Sequence, residues 1–336
     1  MKRKTIYICS NCGYESIKWT GYCQQCGTWN SMQEVEIESS KKKSITNQKR
    51  TTPIRLSEIN LDTSQRIVTS IDEFNRVLGG GIVKDSVTIL SARPGAGKST
   101  LLLQISSDVA KRGYKVLYAS GEESESQIRS RSHRILNDIP DNIWILSDIS
   151  MNNVLKSIEA IDPDLIIIDS IQTFILEELE SRAGSPTQTI ECANALVDVA
   201  KNKNRPRAVI MVGHMTKADE MAGLRTLEHL VDTVIYLEGE SDEPLRTLIS
   251  TKNRFGRTGE IGLFSMEEEG LFPIENPSEY FITKRDEGEL VPGTAISVMK
   301  EGSRYLIIEI ESLVSQSYTP YPSRIGECLR KDQLNT

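Results

Sequence analysis

The sequence predicts an α/β core on a central, mostly parallel sheet, with a small cysteine-rich unit ahead of it and the start of a further α+β domain behind. Three observations predict this. Between residues 54 and 275, apolar runs at 87–90, 116–119, 143–146, 165–168, 209–212 and 234–237 alternate with helical patterns. Continuous runs of that kind suit strands covered on both faces. Four of the six cysteines fall within the first 26 residues, as two Cys-x2-Cys pairs. Past Pro277 the texture changes to shorter strand candidates at 294–299 and 305–310.

Composition narrows the class. Of the 336 residues, 38% are hydrophobic and 26% charged, as in a globular protein able to bury a sizeable core. No apolar run reaches the roughly 18 residues of a membrane span, and no apolar stretch follows the basic N-terminus as a secretory signal would. A cytoplasmic location without membrane partners is therefore expected. The net charge of −7 is uneven: residues 1–55 carry ten Lys/Arg against four Asp/Glu, and the remainder 30 against 43. An acidic body with a basic arm does not resemble a protein that coats nucleic acid uniformly, so any such contact is expected from local loops or the arm.

At the N-terminus, Cys9, Cys12, Cys23 and Cys26 form two pairs separated by ten residues, and Gly13 and Gly27 follow the second cysteine of each. Four thiolates at tetrahedral corners suit structural Zn²⁺ and leave no open position for catalysis. A segment of this size cannot fold on an apolar core alone, so the metal would supply folding energy. A redox dithiol pair and an iron centre are the competing uses of the pattern. Cys192 and Cys328 stand alone and read as small apolar residues. Residues 36–53 lack apolar periodicity and read as a flexible basic linker.

The strand at 87–90 runs into Ala92, Arg93, Pro94, Gly95, Ala96, Gly97, Lys98, Ser99 and Thr100, and then into an apolar helix. Glycines there let backbone N–H groups turn onto phosphate oxygens, and the helix N-terminus adds partial positive charge. Lys98 is expected on the β- and γ-phosphates of ATP, and the Ser99 hydroxyl on Mg²⁺. Asp169 ends the apolar run 165–168, where it is expected to share the Mg²⁺ shell. Ser170 follows it, so a base for water must come from elsewhere. Glu122, just past the strand at 116–119, is the candidate, with its neighbour Glu123 as the alternative. A catalytic glutamate on a separate strand points to the RecA-like branch of phosphate-loop ATPases.

Together, the four-cysteine knuckle, the LGGGI run at 78–82, the phosphate loop and KNRFG at 252–256 resemble the RadA/Sms family. The resemblance extends from Lys2 to about residue 330. It implies a RecA-fold, DNA-dependent ATPase and helicase-like motor that uses ATP, Mg²⁺ and Zn²⁺. Such proteins form hexameric rings on single-stranded DNA and promote branch migration of recombination intermediates in homologous recombination and DNA repair. They work with a RecA-type recombinase. By analogy, Lys252 and Arg254 would reach the γ-phosphate of a neighbouring subunit, in the manner of arginine fingers. Arg182 and Gln188 fall in the family's first central DNA loop, and Lys217 and Arg225 in the second. His214, ahead of the second loop, stands where a relative's residue senses the γ-phosphate.

Two departures are visible. Ala92 and Arg93 replace the Gly-Asp typical of the family. The family's Lon-protease-like domain is represented only by its opening, so the chain reads as cut short within it. The expected division is a zinc knuckle at 1–35, the linker at 36–53, a RecA-like ATPase at 54–275 and a partial Lon-protease-like domain at 276–336. Two other classes share some of these features. One is a KaiC-like signalling ATPase acting on proteins, and the other a zinc-dependent nucleotide-binding adaptor.

Overall fold

The computed structural model describes residues 4–10, 15–16, 18–24, 26–37, 53, 55–58, 66–214, 223–240, 243–285, 291–318 and 323–326. The chain divides into two compact units, Met1–Ile59 and Asn60–Thr336. Among the described residues no helix is long and apolar enough to cross a membrane.

The first unit is a three-stranded antiparallel sheet of β1 (Lys4–Cys9), β2 (Glu15–Ser16) and β3 (Met32–Ile37), in the order β2-β1-β3. An isolated antiparallel bridge, Tyr22↔Trp29, closes the loop that carries Cys23 and Cys26. Among the described residues its buried apolar side chains are Cys9, Cys23 and Met32, with Tyr7 packed beside them.

The second unit opens with β4 (Arg66–Ile67) and β5 (Ile82–Val83), paired antiparallel, with the short helix α1 (Asp72–Val77) between them in sequence. Strands and helices then alternate: β6 (Val87–Ala92), α2 (Lys98–Lys111), β7 (Val116–Ser120), α3 (Glu125–Ile135), β8 (Ile143–Ser147), α4 (Met151–Ile161), β9 (Leu165–Asp169), α5 (Pro186–Ala200), β10 (Ala208–His214), α6 (Gly223–Leu230) and β11 (Thr233–Glu238). An antiparallel meander follows: β12 (Leu245–Asn253), β13 (Ile261–Glu267) and β14 (Gly270–Pro273). The short α7 (Pro277–Tyr280) and a hairpin of β15 (Thr294–Glu301) and β16 (Arg304–Glu311) complete it. The sheet has nine strands in the order β14-β13-β12-β11-β6-β10-β9-β7-β8, parallel from β11 through β8.

The alternation of side chains explains why the apolar runs are unbroken. In β9, Leu165 and Ile167 join a cluster with Leu101, Leu102 and Ile105 of α2, whereas Ile166 and Ile168 join one with α4 and α5. The sheet is covered on both faces, as the sequence predicts. Cys192 lies in the second cluster, where burial pushes its thiol up to about 11, consistent with a packing role. Ser124, Ser150 and Ser185 cap α3, α4 and α5 through their hydroxyls, which fixes where each helix starts.

The β15–β16 hairpin belongs to the same compact unit because its tip is tied to the core. Glu73 of α1, buried, accepts from Arg304 Nη2 at 2.7 Å, Arg76 Nη2 at 2.7 Å and the Leu263 N–H at 2.8 Å. Ser303 Oγ donates to Glu260 Oε2 at 2.7 Å beside it. Removing the carboxylate would leave two guanidinium groups and a buried N–H without their acceptor. Glu73→Ala is therefore expected to lower stability by about 3 kcal/mol in urea unfolding. Arg304→Ala is expected to cost less, since Glu73 keeps two donors.

Candidate nucleotide and metal sites

The phosphate loop joins β6 to α2 at the carboxyl ends of the parallel strands, where open α/β sheets place ligands. Gly97 takes a left-handed conformation (φ 101°) as the N-cap of α2, and no side chain caps the helix. The partial positive charge of the helix N-terminus therefore faces the loop, where a phosphate would bind. A Cβ on Gly97 would also lie 2.9 Å from Leu271 Cδ1, a side-chain tip that would have to shift, so the left-handed backbone is the firmer reason for glycine. The loop is braced from the far side by Arg246, which is buried. Arg246 donates from Nε to the Ala96 carbonyl at 3.2 Å and from Nη1 to those of Glu243 and Leu245 at 2.5 and 2.9 Å. Arg93 pairs with Glu240 at 3.3 Å, but both side chains are exposed and the pair adds little.

The register Ser120↔Asp169 between β7 and β9 brings the two acidic strand ends together. Asp169 is buried, and its Oδ2 accepts from Ser99 Oγ at 3.1 Å and Tyr118 OH at 2.8 Å. Burial pushes the Asp169 carboxyl up, opposed by the Tyr118 hydrogen bond and by Lys98. Burial pushes the Lys98 ammonium down, opposed by Asp169 and Glu122. The Tyr118 hydroxyl is held well above its ordinary value by burial and then by Asp169. The Asp169–Ser170 peptide bond is cis. Ser170 Oγ donates to Glu122 Oε1 at 2.5 Å, which places Glu122 beside Asp169. Glu123 is held elsewhere, accepting both Arg131 nitrogens at 2.6 and 2.5 Å. The two neighbouring glutamates, the candidate Glu122 and the alternative Glu123, thus have different partners. Ser99 and Asp169 supply hard oxygen donors in contact beside Lys98, a donor set that suits Mg²⁺.

The KNRFG segment lies at the other end of the sheet. Asn253 is level with Thr233 and, through it, with Thr88, four residues before Ala92 ends β6. At about 3.3 Å per residue this is about 13 Å from the chain's own phosphate loop along the strand. Arg254 Nη1 donates to Asp232 Oδ1 at 3.0 Å; the Arg254 side chain is 53% exposed and the Asp232 side chain 3%. Asp232 also accepts from Lys201 Nζ at 2.9 Å and the Val87 N–H at 3.1 Å, so Arg254 is anchored to the root of β6. Lys252 turns inward and donates to the carbonyls of Glu228 and Val231, at 2.5 and 2.8 Å, where α6 ends. The segment packs on the LGGGI turn. A Cβ on Gly79 (φ 76°) would lie 3.0 Å from Gly256 Cα, and Arg66 joins both turns by donating to Gly81 O at 3.1 Å and Phe255 O at 2.8 Å.

Of the four residues expected to contact DNA, Arg182 is exposed in the turn before α5. Gln188 does not join it. It is buried, its Oε1 accepts from the Leu176 N–H at 2.9 Å, and its Nε2 donates to the carbonyls of Leu176, Leu179 and Ser181. A glutamine amide with these partners staples the turn and has nothing left for a phosphate. Lys217 and the Arg225 side chain lie outside the described residues. His214 ends β10 level with Ala92.

In the first unit the sulfurs of Cys9, Cys23 and Cys26 lie within 4.8 Å of one another, with Cys9 and Cys26 3.7 Å apart. Tetrahedral coordination at about 2.3 Å puts sulfurs about 3.8 Å apart, so the spacing fits Zn²⁺. Cys12, the fourth expected ligand, lies outside the described residues. Ser31 and Thr28 hydroxyls stand 3.3 Å from Cys9 and Cys26 Sγ, an outer layer around the sulfurs.

Sequence reasoning missed Tyr118, Ser170, Arg131 and Arg246. Tyr118 and Ser120 point the same way from an apolar run, a polar signal that was legible. Arg246 contacts the loop across 150 residues and carries no local signal. Elemental analysis is expected to find one zinc per chain, and Cys23→Ser to lose it. Arg246→Met is expected to weaken nucleotide binding about tenfold in equilibrium titration, the scale of lost charge-assisted hydrogen bonds.

Comparison with known proteins identifies the family. The family described as "AAA domain" matches residues 51–220, and the one described as "Rubredoxin metal binding domain" matches residues 7–34. The DNA repair protein RadA of Bacillus subtilis (strain 168) is 41% identical over 330 residues, 97% of this chain and 71% of that protein. The DNA repair protein RadA of Listeria monocytogenes is 43% identical over 318 residues, 94% and 68% respectively. Among solved structures, the KaiC-like protein PH0186 from Pyrococcus horikoshii OT3 gives a TM-score of 0.50 at 18% identity, covering 63% of this chain and 99% of that one. A second solved structure, of an isolated ATPase domain, gives 0.53 at 15% identity, covering 64% and 94%. These two likenesses show the RecA-like fold alone. Identity above two fifths across nearly the whole chain, with phosphate loop and cysteine ribbon both in place, decides the matter: the chain belongs to the RadA/Sms family.

Proposed function

We propose that this ATPase is stimulated by single-stranded DNA, assembles into a ring on it, and drives branch migration of recombination intermediates with a RecA-type recombinase. One observation carries the reading. Lys98, Ser99, Asp169 and Glu122 form one cluster at the strand ends, while Arg254 stands exposed about 16 Å away along the sheet, level with Val87. An arginine that cannot reach its own nucleotide is available to a neighbour's, and closed symmetry then gives a ring. The name shared by the relatives, DNA repair protein, supports the DNA substrate.

The residues divide the work as follows. The N–H groups of residues 95–99 cradle the β- and γ-phosphates, and Lys98 neutralises them. Ser99 and Asp169 would hold Mg²⁺, which when bound polarises the γ-phosphate and screens its charge. Glu122, oriented by the Ser170 hydroxyl, accepts a proton from the attacking water as the bond to the β–γ bridging oxygen breaks and ADP leaves. Arg254 of the adjacent subunit stabilises the charge developing on the transferred group. Lys252 acts through α6, holding the helix that carries Arg225, and Arg182 and Lys217 complete the cationic lining for the DNA backbone. The β15–β16 hairpin is read as the opening of a Lon-protease-like domain.

ATP hydrolysis with and without single-stranded DNA tests the reading. Severalfold stimulation is expected, abolished by Lys98→Ala. Glu122→Gln should lower kcat about 100-fold or more while nucleotide still binds. Arg254→Ala should lower it about 1,000-fold, and mixing with the Lys98→Ala chain should restore part of the activity, since the two then complete one another's sites. Hydrolysis indifferent to DNA would turn the reading toward a signalling ATPase that acts on proteins.

A further inference from the structure

The cysteine ribbon exposes aromatic surface that its fold does not use. Trp19, Tyr22 and Trp29 are 61, 44 and 75% exposed, and none belongs to the ribbon's buried cluster. They are gathered together. A Cβ on Gly21 would lie 3.9 Å from the Trp19 ring and 3.9 Å from the Trp29 ring, so the two indoles flank one glycine. Tyr22 packs on Trp29 with ring centroids 5.3 Å apart and planes tilted by 40°. The backbone beneath is fixed by the Tyr22↔Trp29 bridge, the Cys23 N–H to Thr28 carbonyl bond at 3.0 Å, and the hydroxyl of Thr20 on the Tyr22 carbonyl at 2.9 Å. Tyr22 and Trp29 bracket the segment that holds Cys23 and Cys26, so a metal on those sulfurs would also stiffen the aromatic surface.

Charge selects the ligand. The ribbon, residues 1–35, carries four Lys/Arg against two Asp/Glu, the reverse of the balance in the rest of the chain, and Lys18 stands exposed beside Trp19. Flat, rigid aromatic faces in a cationic setting match a strand whose bases are unstacked and whose phosphates need neutralising. A duplex has the same phosphates but hides its base faces. We propose that Trp19, Tyr22 and Trp29 form a base-stacking platform for single-stranded nucleic acid, a contact separate from the loops of the ATPase unit. It shares with the proposed function the premise that a single strand is bound, but it stands or falls on a different part of the chain.

The test uses the full chain and a 20-nucleotide oligo-dT. The chain has three tryptophans, two of them in the platform, so in a Trp144→Phe background the emission reports the platform alone. Saturating oligo-dT is expected to quench that emission. By anisotropy, Trp19→Ala/Trp29→Ala is expected to bind about 30-fold more weakly, given that stacking is worth about 1–3 kcal/mol per base. Trp19→Phe/Trp29→Phe should stay within about threefold, and the salt dependence of binding should not change, because phosphate contacts persist. Zinc content and DNA-free ATP hydrolysis should match the parent chain. No quenching at saturation would overturn the proposal even if the alanine variant misfolds. So would an unchanged affinity in an alanine variant that keeps its zinc, or an equal loss of affinity for duplex, which would mark an electrostatic surface or one that serves a protein. Quenching without stimulation of hydrolysis would leave the platform standing and sink the motor reading.

Discussion

A carboxylate taken out of water organises the catalytic half of this protein. Asp169 ends a strand that is apolar on both faces, and burial pushes its carboxyl up. Tyr118, Ser99 and Lys98 are the groups that favour the charge. Tyr118 comes from β7, and Lys98 and Ser99 from the first turn of α2. Satisfying one acid therefore fixes the relative positions of the phosphate loop and two strand ends. The same arrangement leaves a cationic and an anionic group, both buried, side by side at the strand ends.

The fold was legible because both faces of the sheet are buried. That constraint writes unbroken apolar runs into the sequence, and six of them coincide with β6 through β11. The phosphate loop was legible for a similar reason, since its chemistry depends on contiguous backbone. What could not be read were the tertiary partners. The choice between Glu122 and Glu123 rests on Arg131 and Ser170, neither of which is marked by spacing. Gln188 looked like a polar loop residue, yet a capped helix start and a tight turn enclose it. Arg246 braces the loop from a distant strand, a contact that only the folded chain defines.

The ends of the sheet divide the chemistry. On the proposed reading one end binds and the other presents, and between them runs β6, with the phosphate loop at its close and Asp232 bonded to its first N–H. Arg254 is anchored to that same aspartate. A displacement at either end has a hydrogen-bonded strand along which to act.

The backbone contact between Gly79 and Gly256 has a consequence for how the two motifs behave as a pair. Each glycine leaves the space that the other's chain occupies, so a side chain at one position already forces the turns apart. Once they have separated, a side chain at the second position meets less resistance. Substitutions at the two sites are thus coupled in energy rather than additive, with the double change costing less than the two single changes together. LGGGI and KNRFG, though far apart in the chain, behave thermodynamically as one element.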